Sequence, residues 1–137
     1  MITRKALTLA DVQAIAAGAE AEAKKNDWKV SIAIVDDGGH LLHFQRLDGA
    51  PTQSTYISQG KAKAAAYARK PTKGLEEVIG NGRTAFLTAA AVSDMVLLEG
   101  GEPIIVDGIC IGAVGVSGVK SSDDSLIALA GIAKLAV

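Results

Sequence analysis

Apolar residues recur at helical spacing near the start of the chain. Leu9, Val12, Ile15 and Ala16 open a stripe that continues to about Lys25. Thr8 followed by Asp11 resembles a capping box with Asp in the place of the usual Glu, which fixes the helix start. Asn26-Asp27 ends this helix, and the pattern then changes period. Lys29 to Val35 is rich in β-branched residues with Val30, Ile32 and Ile34 on one face, which predicts a strand. Asp36-Asp37-Gly38-Gly39 reads as a hairpin turn because its glycines can take positive φ, and Leu41 to Leu47 returns as the second strand.

Asp48-Gly49-Ala50-Pro51 stops that strand. Thr52 or Ser54 can cap the next helix, which runs through Ile57, Lys61 and Ala64-Ala65-Ala66 to about Arg69, where Lys70-Pro71 breaks it. A short helix from Thr72 to Ile79, a Gly80-Asn81-Gly82 turn and an Ala-rich helix from Arg83 to about Val92 follow. Strands are then predicted at Met95 to Leu98, Pro103 to Val106 and Ile109 to Ser117, the last two joined by Asp107-Gly108, the strongest hairpin signal in the chain. Ser121-Ser122-Asp123-Asp124 supplies caps and early negative charge for a final helix carrying Leu126, Ile127, Leu129, Ala130 and Ile132. Two hairpins separated by helices argue for an α/β domain of the α+β kind. One antiparallel sheet with helices packed on it fits this order better than a doubly wound parallel sheet.

Composition sharpens that picture. The 137 residues suit one domain, residues 1–137, with one sizeable core. Hydrophobic residues are 49% of the chain but aromatic ones only 4%, so Ala, Val, Ile and Leu must build the core and let helices approach the sheet closely. Fourteen basic residues against fifteen acidic ones leave a net charge of -1, with no basic run able to neutralise a row of phosphates, which argues against nucleic acid as a partner. No secretion signal or membrane span is expected, because charge and Gly interrupt every apolar stretch. The single Cys110 cannot form an internal disulfide and reads as a small buried hydrophobe, all of which suits a cytoplasmic location.

The chemistry-bearing residues are few. No glycine-rich phosphate loop is present, and Gly112 to Gly118 does not open a helix as a dinucleotide fingerprint would. Gly112, Gly115 and Gly118 instead permit close packing of the strand, or close approach of a flat ligand. His40 and His43 are the only histidines, and their spacing on a strand places them on opposite faces, so at most one is a ligand. By the same alternation His40 shares a face with Leu42, Phe44 and Arg46. Either His is a ligand or a hydrogen-bonded surface or interface residue. Lys61, on the apolar side of its helix, either binds a carboxylate or packs its stem and extends its ammonium to water. Arg69, Arg83, Asp36, Asp37, Glu76 and Glu77 read as a solvated face or helix-end charges.

Several segments together resemble the GlcG/HbpS family, also called the haem-degrading domain and similar to the C-terminal domain of some PduO proteins. They are Leu7-Thr8-Leu9-Ala10, Ala33-Ile34-Val35-Asp36-Asp37-Gly38-Gly39-His40-Leu41, Phe44-Gln45-Arg46-Leu47-Asp48-Gly49-Ala50, Lys61-Ala62 with Ala64-Ala65, Gly100-Gly101-Glu102-Pro103-Ile104 and Gly112-Ala113-Val114-Gly115-Val116-Ser117-Gly118. The resemblance implies a two-layer, profilin-like domain with about five antiparallel strands, assembly into homo-oligomers, and haem binding in some members, with roles in haem sensing or breakdown. The family's His after the paired glycines matches His40 and its central-helix Lys matches Lys61. Gly60 stands where an acidic residue commonly precedes that Lys. On this basis His40 is the expected axial ligand to haem iron, with Arg46 and Lys61 as propionate partners. Two other readings stay open. One is an enzyme acting on an organic acid, with Arg46 and Lys61 holding the carboxylate and His40 exchanging a proton; the other is a structural or regulatory oligomer.

Overall fold

The computed structural model describes residues 1–136. Helix α1, Leu9–Lys25, begins where the sequence predicts, with both capping-box bonds formed: the Asp11 amide donates to the Thr8 hydroxyl at 3.2 Å and the Thr8 amide to the Asp11 carboxylate at 2.8 Å. Strands β1, Ser31–Asp36, and β2, Leu41–Arg46, form the first hairpin. After α2, Ser54–Ala68, and α3, Thr72–Gly80, a 3₁₀ turn spans Thr84–Ala91, and β3, Gly101–Val106, pairs with β4, Ile109–Ser117. Asp107 and Gly108 both have positive φ, as a tight two-residue hairpin requires, and α4, Ser121–Ile132, closes the domain.

The strands form one antiparallel sheet in the order β2-β1-β4-β3. Two expectations are corrected here. The sheet has four strands rather than about five, because Met95 to Leu98 is not a strand. Ser93 and Asp94, at φ 63° and 55°, turn the chain, and the Val96 amide then donates to the Gly60 carbonyl of α2 at 3.1 Å instead of to a sheet edge. Leu97 from this segment packs with Ala64 and Leu75, away from the sheet. The architecture also has three layers rather than two, since successive residues of a strand point to opposite faces and both faces are apolar. Ile32, Ile34, Ile104, Val114 and Val116 pack against Val12, Ile15 and Ala19 of α1 and Ile127 and Ala128 of α4. Ala33, Val35 and Ala113 meet Ala62, Ala65 and Ala66 of α2 on the other side.

The α2 face is built from small residues, and this sets how near the helix sits. A Cβ at Gly115 of β4 would run into the Ser58 carbonyl and the Ala62 amide, so the backbones of α2 and β4 touch directly. The Ala-rich segment Arg83 to Val92, predicted as an α-helix, is a 3₁₀ turn with no fully buried residue, so tertiary packing does little to hold a regular helix there. Nor do Ser121 and Ser122 cap α4; both lie within it, Lys120 stands at the cap, and no side-chain cap bond forms.

Candidate functional site

His40 lies just before β2, at the end of the Asp36–Gly39 turn, and its side chain is 80% exposed. Its geometry follows from Asp36. One oxygen of that carboxylate accepts from the Gly38 and His40 amides, each at 2.9 Å, which locks the turn. Both oxygens lie 3.1 Å from His40 Nδ1. An ionised carboxylate only accepts, so Nδ1 carries a hydrogen, and in the neutral ring Nε2 keeps its lone pair, directed away from Asp36. Burial pushes the Asp36 carboxyl up, but the amide bonds and the imidazole more than offset this and hold it below its ordinary value. The ring also lies against Gly38, where a Cβ would come within 2.8 Å of it. Gly39, at φ 79°, is covered by the ring of Tyr67 from the end of α2.

A register shift between Ile34 and Val35 changes the face assignment on β2. Val35 pairs with Leu41 but Ile34 with His43, so Leu42 is the extra residue of a bulge. Leu41, Phe44 and Arg46 pair with Val35, Ala33 and Ser31 and share the α2 face, and His40 stands outside the ladder instead of sharing a strand face with Leu42, Phe44 and Arg46. Arg46 is exposed at the far end of β2, about 20 Å along the strand from His40. His43 is engaged elsewhere: its Nε2 donates to the Gln45 side-chain carbonyl at 2.8 Å, while the Gln45 amide donates to Glu20 of α1 at 2.9 Å. Of the two histidines, His40 is the exposed one, and its Nε2 is not engaged by any hydrogen bond among the described residues.

Lys61 is placed inside the molecule, neither at the surface nor beside His40. Its side chain is 2% exposed, and its ammonium donates to the Val116 carbonyl of β4 at 2.9 Å and to Asp124 of α4 at 3.0 Å. The other Asp124 oxygen accepts from the Val119 amide at 3.2 Å. Burial pushes the Asp124 carboxyl up, and Lys61 and the Val119 amide pull it back only in part. Gly60, the residue before Lys61, leaves no room for a side chain, because a Cβ there would strike the Val96 side chain. The acidic partner of Lys61 comes from α4 instead. The structure thus separates the three predicted site residues: His40 at the turn, Arg46 on the sheet edge, Lys61 in the interior.

Asp36 and Asp124 are the partners of His40 and Lys61 that the sequence reading missed. An Asp four residues before a His, across two glycines, was the available signal for the first. Nothing in the spacing of 63 residues pointed to the second. Among the described residues, no three His, Cys, Asp or Glu side chains gather to hold a metal ion, so an iron at His40 needs most of its coordination from a ligand such as a porphyrin. No helix among them is long and apolar enough to cross a membrane.

Known proteins resemble this chain in both sequence and fold. The family model described as "Haem degrading protein HbpS-like" matches residues 7–133. Protein GlcG of Escherichia coli is 52% identical over 117 residues, 85% of each chain. The structure of a double mutant of HbpS from Streptomyces reticuli superposes with a TM-score of 0.89 at 30% identity, over 100% of this chain and 92% of that one. That of a PduOC:heme complex does so with a TM-score of 0.87 at 27% identity, over 95% of both chains. This chain belongs to the HbpS-like family of haem degrading proteins.

Proposed function

We propose that this protein binds haem, with His40 as the axial ligand. The observation that carries the reading is the Asp36–His40 pair: a carboxylate holds Nδ1 and leaves Nε2 exposed, the arrangement that orients a metal-bound imidazole and raises its basicity. The exposed Leu41 and Leu42 beside it, 50% and 40% accessible, offer apolar surface to a porphyrin face. The family model and the haem complex of a fold relative support the same ligand. Bound haem supplies an iron for redox or oxygen chemistry, the step on which a role in sensing or degradation rests.

Haemin titration followed at the Soret band tests this. Saturable one-to-one binding is expected, lost in His40→Ala and weakened in Asp36→Asn; an unaltered spectrum in His40→Ala removes His40 from the role. The organic-acid reading has less support, because it asks Lys61 and Arg46 to grip one carboxylate and Lys61 is closed off against Asp124. We also propose self-association, supported by the apolar groove where Ile79, Leu87, Leu97 and Leu98 meet, and sedimentation analysis tests it.

A further inference from the structure

On the other side of the Asp36–Gly39 turn lies a cleft of about 510 Å³, within the range of small-ligand sites. The β3–β4 turn, the end of α2 and the N-terminal segment enclose it. Ile105 and Ile109 give it an apolar wall, while Arg4, Asp37, Tyr67 and Arg69 give it a polar one. It adjoins the His40 turn through shared parts: Asp37 belongs to that turn, and the Tyr67 ring covers Gly39, the residue before His40.

Two arginines and one carboxylate line this cleft. Arg4 is tied to Asp37 at 2.6 Å, and Arg69 is the arginine of the cleft with no ion-pair partner among the described residues. The backbone at Arg69 is unusual as well. It caps α2 in the left-handed conformation, φ 56° and ψ 36°, its amide donating to the Ala65 carbonyl. Helix ends of this form favour glycine, which has no Cβ to strain. An arginine here is costly for folding and needs another reason, and an observed strain of this kind points to function.

We infer that Arg69 is the carboxylate anchor of the ligand held at His40, gripping a propionate of haem from the cleft beyond Gly39. The assignment rests on the haem reading and replaces Arg46 and Lys61 in that part. A planar guanidinium matches a carboxylate with two parallel bonds, and the isoleucine wall suits the apolar edge of an amphipathic ring.

Arg69→Gly makes a clean test, since glycine relieves the left-handed cap and the variant is expected to melt no lower than the wild type. Haemin should bind it about tenfold more weakly, the loss of one charge-assisted pair, with an unchanged Soret position because His40 still ligates. Haemin dimethyl ester, which has no free propionate, should bind wild type and variant alike. Wild-type binding that saturates and is matched by Arg69→Gly overturns the Arg69 assignment alone, as does an equal loss for the ester. A wild type that does not saturate with haemin overturns the haem reading itself, and this assignment with it.

Discussion

Two nitrogen–carboxylate pairs of nearly equal length do opposite work in this molecule. Lys61 and Asp124 are 3.0 Å apart with both side chains 2% exposed, whereas His40 and Asp36 are 3.1 Å apart with side chains 80% and 32% exposed. The buried pair joins α2 to β4 and α4, and the nearby backbone groups and the pair itself use up its polar atoms. The exposed pair fixes one imidazole nitrogen and leaves the other to water or a ligand. Solvent access, more than contact distance, decides which pair holds the fold and which is offered to chemistry.

Removing one member of the buried pair should therefore have the largest effect. Lys61→Met leaves Asp124 buried without its partner, and urea denaturation should show a loss of about 3–5 kcal/mol. The double variant Lys61→Met with Asp124→Leu should recover most of that; equal instability in both would mean that the pair itself, and not the orphaned charge, matters. Gly115→Ala comes next, because it forces α2 off the β4 backbone and so disturbs the layer that encloses Lys61. A loss of about 1–3 kcal/mol is expected from the same measurement. At the exposed pair, His40→Ala should change stability by less than about 0.5 kcal/mol while abolishing saturable haemin binding, and Asp36→Asn should weaken that binding about tenfold.

The smallest effect concerns Glu102, which is buried beside Ser125 of α4 and accepts from its hydroxyl at 3.0 Å. Burial pushes its carboxyl above the ordinary value of 4.5; the Ser125 bond pulls it down and Glu99 adds to the rise. The folded protein thus binds this proton more tightly than the unfolded chain does. Its contribution to stability is fully present below pH 4.5 and is lost as pH rises through the folded value. Glu102→Gln should flatten the fall in melting temperature between pH 4.5 and 7, and parallel curves for the two proteins would show that the carboxyl does not titrate differently on folding.

Local signals were readable where the deciding contacts are near in sequence. The Thr8/Asp11 capping box, the Asp107-Gly108 hairpin and the helix and strands next to them came out as the residue pattern predicts. His40 was singled out from its place after the glycines, although its partner Asp36 was read as a surface charge. Met95 to Leu98 shows the limit. Its apolar run is compatible with a strand, and the outcome turned on Gly60 letting Val96 close onto α2.

The sequence by itself determined the α+β class and most of the element order, because periodicity, caps and turns act over a few residues, while its resemblance to the GlcG/HbpS family picked out His40 for testing. Only the tertiary structure decided that helices cover both faces of the sheet, that β2 begins after His40 and carries a bulge at Leu42, and that Lys61 turns inward to Asp124 while Arg69 borders the cleft beside the His40 turn. Those outcomes depend on which distant segments exclude water from one another, and burial is a property of the packed chain that no local spacing records.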